Sequence, residues 1–533
     1  MMGRVRTFTT FLLVSAACLS APAFARSEFS PYVEGRQTID IGLDKGNADT
    51  TYTSLGGGFD AMIQNQRIDA QASYFYERII PIDNNSRSQD LHSGLARGRA
   101  TVLTDFLNVE GGAIATRTRT DIRGAVPNAS GSGDNISKVY GFYGGPTIDT
   151  KVSDFDVMAS YRAGHVEVDH NYNSSIMFGT LPLDRYRRAT SHDVSGSIGM
   201  QPGELPFGWK ISGGWLREDV SQLDQRYDGS NVRGELTFPV GATLALVGSA
   251  GYEDIEISQR EPIRDANGIP VLDNTGHFQI DPTQPRVIAF DTKGAIWDVG
   301  FLWKPSSRTT LEARGGERYG STAYTMRLEH RITKNLAFQA AVFNSLDSFG
   351  RSIVEQLTTM PTSFHPDRNL LSNDMTSCVF GSRPGTGSCF SGVLQSTSTT
   401  NYRSRGGLMM MSGKRGGWQM ELSAIYVEHK FLAPKTPTFF SLNGIVDKTF
   451  SIEANAERRL DAESMVSVSV IGDWRRSGIP GFTVSRTITV AGDYMHQLTD
   501  HVLGFAGAGA YHRHSGSNNR LNSLVFVGAR YRF

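Results

Sequence analysis

Few side chains in this sequence are spaced for chemistry. Cys378 and Cys389 stand in a Gly- and Ser-rich stretch. Two thiols this close suggest a disulfide in an oxidising compartment, with a free pair as the alternative. His512-Arg513-His514 puts two imidazoles on one strand face. A metal needs more ligands than that, and the neighbouring sequence offers no acidic partner. Asp265-Ala266-Asn267-Gly268 and Asp273-Asn274-Thr275-Gly276 are shaped like pieces of calcium loops. The bidentate Glu is absent at the required spacing, and turn formation accounts for both. His92, His165, His170 and His192 are scattered, and there is no G-x-S-x-G elbow. A hydrolase would need a triad assembled from separate strands. The sequence therefore predicts no cofactor, no metal and no enzyme.

The charged residues carry a stronger pattern, because they alternate with apolar ones. Arg67, Asp69, Asp156, Arg162, Asp298, Glu312, Arg314, Arg327, Glu329, Arg331, Glu453, Glu457 and Asp473 all fall on the polar face of period-2 segments. If the other face meets lipid, these line a lumen. There they either border a permeation path or pair across strands as a structural network. The mixed signs predict weak ion selectivity at most.

The segments themselves read as transmembrane strands. Trp297, Val299, Phe301 and Trp303 alternate with Asp298, Gly300 and Lys304. Val466, Val468, Val470 and Trp474 alternate with Ser467, Ser469 and Asp473, and Ala70, Ala72, Tyr74 and Tyr76 with Asp69, Gln71, Ser73 and Glu77. Strands of about ten residues with apolar faces and aromatic ends are the signature of outer-membrane barrels. Tyr74, Tyr161, Tyr252, Trp297, Trp303, Tyr426, Trp474, Tyr494 and Tyr511 fit interface anchors, with sugar stacking as the alternative. Short polar breaks near residues 65, 105, 154, 241, 306, 334, 462 and 500 alternate with longer segments at 122–136, 170–188, 261–290, 350–400, 432–446 and 514–520. That asymmetry assigns the short breaks to the periplasm. The count gives about 22 antiparallel strands, within 18 to 24, with both termini periplasmic. The first strand is expected near Ser30–Leu43. A soluble β-solenoid or sandwich is the competing fold.

Composition agrees. The 533 residues include 57 Gly and only 3 Cys, with 53 basic and 53 acidic side chains. That balance gives no basic surface for nucleic acid. Arg4 and Arg6, the apolar run from Phe11, and Ala23-Phe24-Ala25 form a signal peptide over 1–25, leaving 26–533 as the barrel. Cys18 raises a lipoprotein alternative, disfavoured by Ser15. No apolar run after Ala25 reaches the roughly 18 residues of a helical span. No plug domain is expected ahead of the first strand, which argues against a TonB-type siderophore receptor.

The last strand ends Gly528-Ala529-Arg530-Tyr531-Arg532-Phe533. Gly528, Tyr531 and the terminal Phe533 match the signal read by the barrel-assembly machinery. Phe526 stands where a polar residue is usual. Trp297 to Glu312, with Arg318-Tyr319-Gly320 and Tyr324, resembles the porin-like outer-membrane barrels associated with PEP-CTERM/exosortase exopolysaccharide systems. Leu205-Pro206-Phe207-Gly208-Trp209 and Ser221 to Tyr227 are similar to sphingomonad-type outer-membrane barrels. The resemblance implies one large barrel, an outer-membrane location and a link to exopolysaccharide. The expected function is a porin-like channel or export conduit, serving polysaccharide or small polar solutes. The alternative is a non-conducting surface barrel that binds a partner or matrix polysaccharide through its long outer loops. Segments 261–290 and 350–400 are long enough to fold inward.

Overall fold

A computed structural model describes residues 26–44, 49–82, 88–120, 136–170, 186–274, 277–394, 397, 400–435, 441–479, 484–516 and 518–533. The signal peptide 1–25 and Thr275-Gly276 lie outside the described residues, as do parts of segments 122–136 and 170–188.

Twenty-two strands, from Arg26–Gly42 to Asn518–Arg532, form one antiparallel sheet. Each pairs with its neighbour in the chain. The first and last strands then pair from Tyr32↔Arg532 to Gly42↔Asn522 and close the ring. Closure follows from the backbone: in lipid each N–H and C=O needs a partner, and a ring leaves no edge. Individual strands run from 10 to 20 residues. All but the shortest exceed the 9–11 or so needed to cross a bilayer, so the longer ones continue beyond it.

Alternation decides which side chains meet lipid. Leu55, Phe142, Ile211, Val232, Leu246, Val299, Val468, Val490 and Val527 face outward and are exposed. A soluble surface does not present apolar residues all the way round; a lipid-facing one does. Tyr74, Tyr161, Tyr252, Trp297, Trp303, Tyr426, Trp474 and Tyr494 share that outer face by register. Tyr511 does not. It lies on the lumen face, 3.4 Å from Asp40, packed beside Leu371.

Several boundaries differ from the sequence expectation. The first strand begins at Arg26 rather than Ser30. Residues 514–520 are no long loop, since one strand ends at Ser515 and the next starts at Asn518. On that same outer side, Arg318 connects to Ser321 through Tyr319 and Gly320, both at positive φ. Such a pair makes the primed two-residue turn that matches strand twist.

The two longest segments part ways. Residues 261–286 make short bridges to themselves, such as Pro262↔Ile280, and expose Ile263 and Ile269. The His277 ring lies 6.0 Å from that of His170, which ends a strand four places back round the barrel. The segment therefore leans along the rim instead of dropping into the lumen. Residues 348–394 do enter the lumen, carrying the helix α1 (Phe349–Thr359) and a small hairpin, Cys378–Phe380 with Gly387–Cys389.

Candidate functional site

The inward-folded segment builds the constriction. Its helix is encoded locally. Ser348 is extended and caps it, Oγ accepting from the Arg351 N–H at 3.1 Å. Phe349, Ile353 and Leu357, spaced four apart, are buried on one face. Met360 leaves the helix before Pro361, as the residue preceding a proline prefers. Burying each of the three apolar side chains stabilises docking by roughly 1.5–3 kcal/mol. The wall accommodates them with glycines: a Cβ on Gly141 would stand 2.9 Å from Ile353, and one on Gly164 2.7 Å from Val354.

Polar hooks fix the segment to the ring. Ser348 donates to both Glu218 carboxylate oxygens at 2.7 Å, and Arg351 stands 3.6 Å from the same group. The Arg351 guanidinium also donates to Leu346 O and Asn401 Oδ1 and stacks 3.8 Å over Tyr227. Further along, Gln71 exchanges two 2.8 Å bonds with the Phe364 backbone, and Thr362 donates to Asp69. Arg117 holds Asp374 through two bonds of 2.8 and 2.6 Å. Arg36 donates to Leu370 O, and Ser377 to Glu453. Cys378 and Cys389 are joined by a disulfide, with the Cys389 sulfur against Met410.

The strands from Gln225–Pro239 to Ser321–Thr333 present a different face. Arg233 pairs with Asp298, and Arg314 bridges Glu235 at 2.6 Å, Glu312 at 2.5 Å and Asp298 at 3.5 Å. A cavity of about 320 Å³ lies among Arg233, Glu235, Ser249, Asp298, Arg314 and Thr325. Deeper on the next strand, Arg327 and Glu329 point inward, paired at 2.8 Å, yet are 74% and 52% exposed. Inward and exposed together mean water on the lumen side of this wall. Glu355 is exposed on the free side of α1. The nearby Asp347 carboxylate, with enclosure in the barrel, raises it to about 7. Below the segment a second cavity, about 550 Å³, reaches from Arg368 and Asn373 past Glu457 and Asp493 to the periplasmic turn at Asp461–Ser464.

Twelve of the thirteen charged positions expected on the polar face share the lumen face by register, while Arg67 lies in the turn before Ile68; they do different things. Asp69 and Glu453 hold the segment. Arg162 bonds Glu110 at 2.8 Å, and Asp473 accepts from Ser451. Asp298, Glu312 and Arg314 form the paired ladder, and Glu457 lines the lower cavity. Arg67, Asp156, Arg327, Glu329 and Arg331 are exposed or nearly so. Missing from the sequence reading were Glu218, Arg351, Arg97, Glu110 and Asp374. Arg97 and Arg99, alternating with Gly and Ala, carried a readable signal; Arg217-Glu218-Asp219 masks the alternation with three charges in a row.

The scattered histidines do not converge. His92, His165 and His192 face outward, bonded to Tyr74, Thr190 and Tyr161 respectively. His512 and His514 also face outward, at the rim. Asp265 Oδ1 accepts from the Asn267 and Ile269 amides at 2.9 Å, as an Asx turn does. At the C-terminus Tyr531 and Phe533 face outward, while Phe526 faces the lumen against Leu371, Leu524 and Arg36. Phe526, apolar where the expected assembly signal has a polar residue, is thus a docking point for the inward segment.

A closed, lipid-faced ring of 22 antiparallel strands with a segment folded into its lumen defines an outer-membrane β-barrel. No protein-family model and no curated protein matches the chain. Among solved structures it is similar to the ferric-catecholate import receptor Fiu of E. coli K12 in its closed form: 9% identity, TM-score 0.47, covering 94% of this chain and 81% of that one. It is similar also to the FrpB iron transporter of Neisseria meningitidis (9%, 0.45, 95% and 82%). The siderophore receptor PiuA of Acinetobacter baumannii gives 8%, 0.44, 94% and 82%. At these identities and scores no function carries across, and the barrel assignment rests on strand register and the apolar exterior.

Proposed function

We propose that the protein is a constricted outer-membrane channel, exported by cleavage after Ala25. The supporting observation is the wall of Arg327 and Glu329, inward-facing and solvated, opposite the exposed side of α1. The route runs beside the inward segment, past the Arg233–Asp298–Arg314–Glu235 ladder, and suits small polar solutes. Paired charges of both signs give it weak ion selectivity. Passage of an exopolysaccharide, the cargo that the porin-like resemblance suggests, requires residues 348–394 to swing aside.

Single-channel conductance of the refolded barrel in a planar bilayer tests this. Steady conductance that rises when 349–397 is deleted supports the channel. Silence in both proteins, with a heat-modifiable gel shift proving a folded barrel, rejects it. The second reading, a surface-binding barrel, is favoured by the exposed Ile263, Ile269 and Leu272 of the rim segment. Loss of binding to matrix polysaccharide on deletion of 262–285, with conductance unchanged, would support it.

A further inference from the structure

The outer rim is not uniform in charge. On the five strands from Asn401–Arg415 to Ser485–Gln497, Arg405, Lys430, Lys448, Arg476 and Arg486 face outward near the extracellular ends, and all are exposed. One outward carboxylate, Glu428, stands among them. Register makes this a continuous row, Arg405↔Glu428↔Lys448↔Arg476, with Arg486 beside it opposite Trp474. Glu428 is taken by Lys448 at 2.6 Å. Among the described residues no carboxylate lies within ion-pair distance of Lys430, Arg476 or Arg486.

Two residues lower on the same face runs Tyr426↔Phe450↔Trp474. The Phe450 and Trp474 rings are 5.4 Å apart. Below them the outer face turns aliphatic, with Ile452, Val470 and Val490. Aromatic side chains mark the boundary between acyl chains and headgroups. Two residues of strand rise about 7 Å, which places Arg405, Lys448 and Arg476 at headgroup depth, with Lys430 above them and Arg486 level with Trp474. Elsewhere on the rim the sign reverses: Asp228↔Glu256↔Asp291 is a row of carboxylates.

We propose that this basic sector is a binding surface for an anionic, phosphate-bearing lipid of the outer leaflet. The cations meet the phosphate, the aromatic row packs against the glycerol or sugar backbone, and the aliphatic face takes the chains. The strands hold the cations in place, so the site is formed before the lipid arrives. Charge complementarity alone would admit a free anion. The aromatic and aliphatic tiers directly beneath select an amphiphile.

The test uses the full refolded barrel in phosphatidylcholine vesicles carrying spin-labelled phosphatidylglycerol or spin-labelled phosphatidylcholine. Electron paramagnetic resonance reads the fraction of each label immobilised at the protein. The wild type is expected to prefer phosphatidylglycerol, with the preference shrinking as salt is raised. The triple variant K430Q/R476Q/R486Q is expected to lose it, a several-fold drop in line with the roughly fivefold that one membrane-surface cation contributes. R217Q/R226Q/K293Q, whose cations flank that acidic row on the outer face and pair with Asp219 and Asp254, is expected to keep it. Equal immobilisation of the two labels by the wild type overturns the proposal, as does a preference that survives the triple variant. Displacement of the labelled lipid by inorganic phosphate would reassign the surface to a free anion. Should the triple variant fail the heat-modifiable gel shift, the wild-type salt series decides: a preference indifferent to salt overturns the proposal.

Discussion

Arg351→Met removes the charge that holds the constriction in place. Arg351 is 5% exposed and Glu218 1%, and their groups stand 3.6 Å apart. Losing one member of a buried pair leaves the other uncompensated, which costs roughly 3–5 kcal/mol. The penalty falls on the docked segment, because undocking returns Glu218 to lumen water. The undocked population should therefore rise by about two to three and a half powers of ten. Methionine keeps most of the arginine's volume, so packing over Tyr227 changes little. Two assays read the result: single-channel conductance, which should increase or flicker, and hydrogen exchange in α1, which should accelerate. The double variant Glu218→Gln with Arg351→Met removes both charges and keeps the Ser348 hydrogen bond. It should recover most of the protection, since a buried pair replaced on both sides is often close to neutral. Unchanged exchange in the single variant refutes the electrostatic anchor. A double variant as open as the single one shifts the role to the stacking of Arg351 on Tyr227.

Gly164→Val forces a side chain into the 2.7 Å approach to Val354. It should loosen the helix by about 1–3 kcal/mol, seen as faster exchange over Phe349–Thr359 with the barrel's gel shift intact. Phe526→Asn supplies the polar residue that an assembly signal is expected to have there, while removing the contact with Leu371. Insertion yield should hold or improve, and protease protection of 365–375 should fall. Cys378→Ser with Cys389→Ser opens a short loop and should destabilise the hairpin by about 2–3 kcal/mol, with hydrogen exchange over 378–389 faster than in the oxidised protein. Glu355 is neutral below about pH 7 and anionic above it. Cation preference, read as reversal potential in a salt gradient, should thus rise from pH 6 to pH 8, and Glu355→Gln should flatten the response.

Much of this architecture was legible without coordinates. Alternation along segments such as 295–303 and 466–474 reports a face against lipid and a face away from it, and strand pairing needs only the next strand in the chain. The strand number, the short periplasmic turns and most of the girdle followed from that. Boundaries fared worse where the local chemistry was ambiguous. Residues 514–520 are polar and Gly-containing in the manner of a loop, yet they belong largely to two strands. Tyr511 has the composition of a girdle residue, and only its register puts it inside.

The lumen was the limit. Segments 261–290 and 350–400 are both long and rich in polar and turn-forming residues, and just one of them enters the barrel. Its contacts join residues 130 apart for Ser348 and Glu218, 293 for Phe364 and Gln71, and 334 for Leu370 and Arg36. Lipid is a uniform partner, so the outward face is written residue by residue in the sequence. The inward face meets either water or another part of the chain. Both are polar enough to accept an Asp, an Arg or a Gln, and so the same alternation encodes Asp69, which anchors the constriction, and Glu329, which faces water. Only the folded position of a distant segment separates the two.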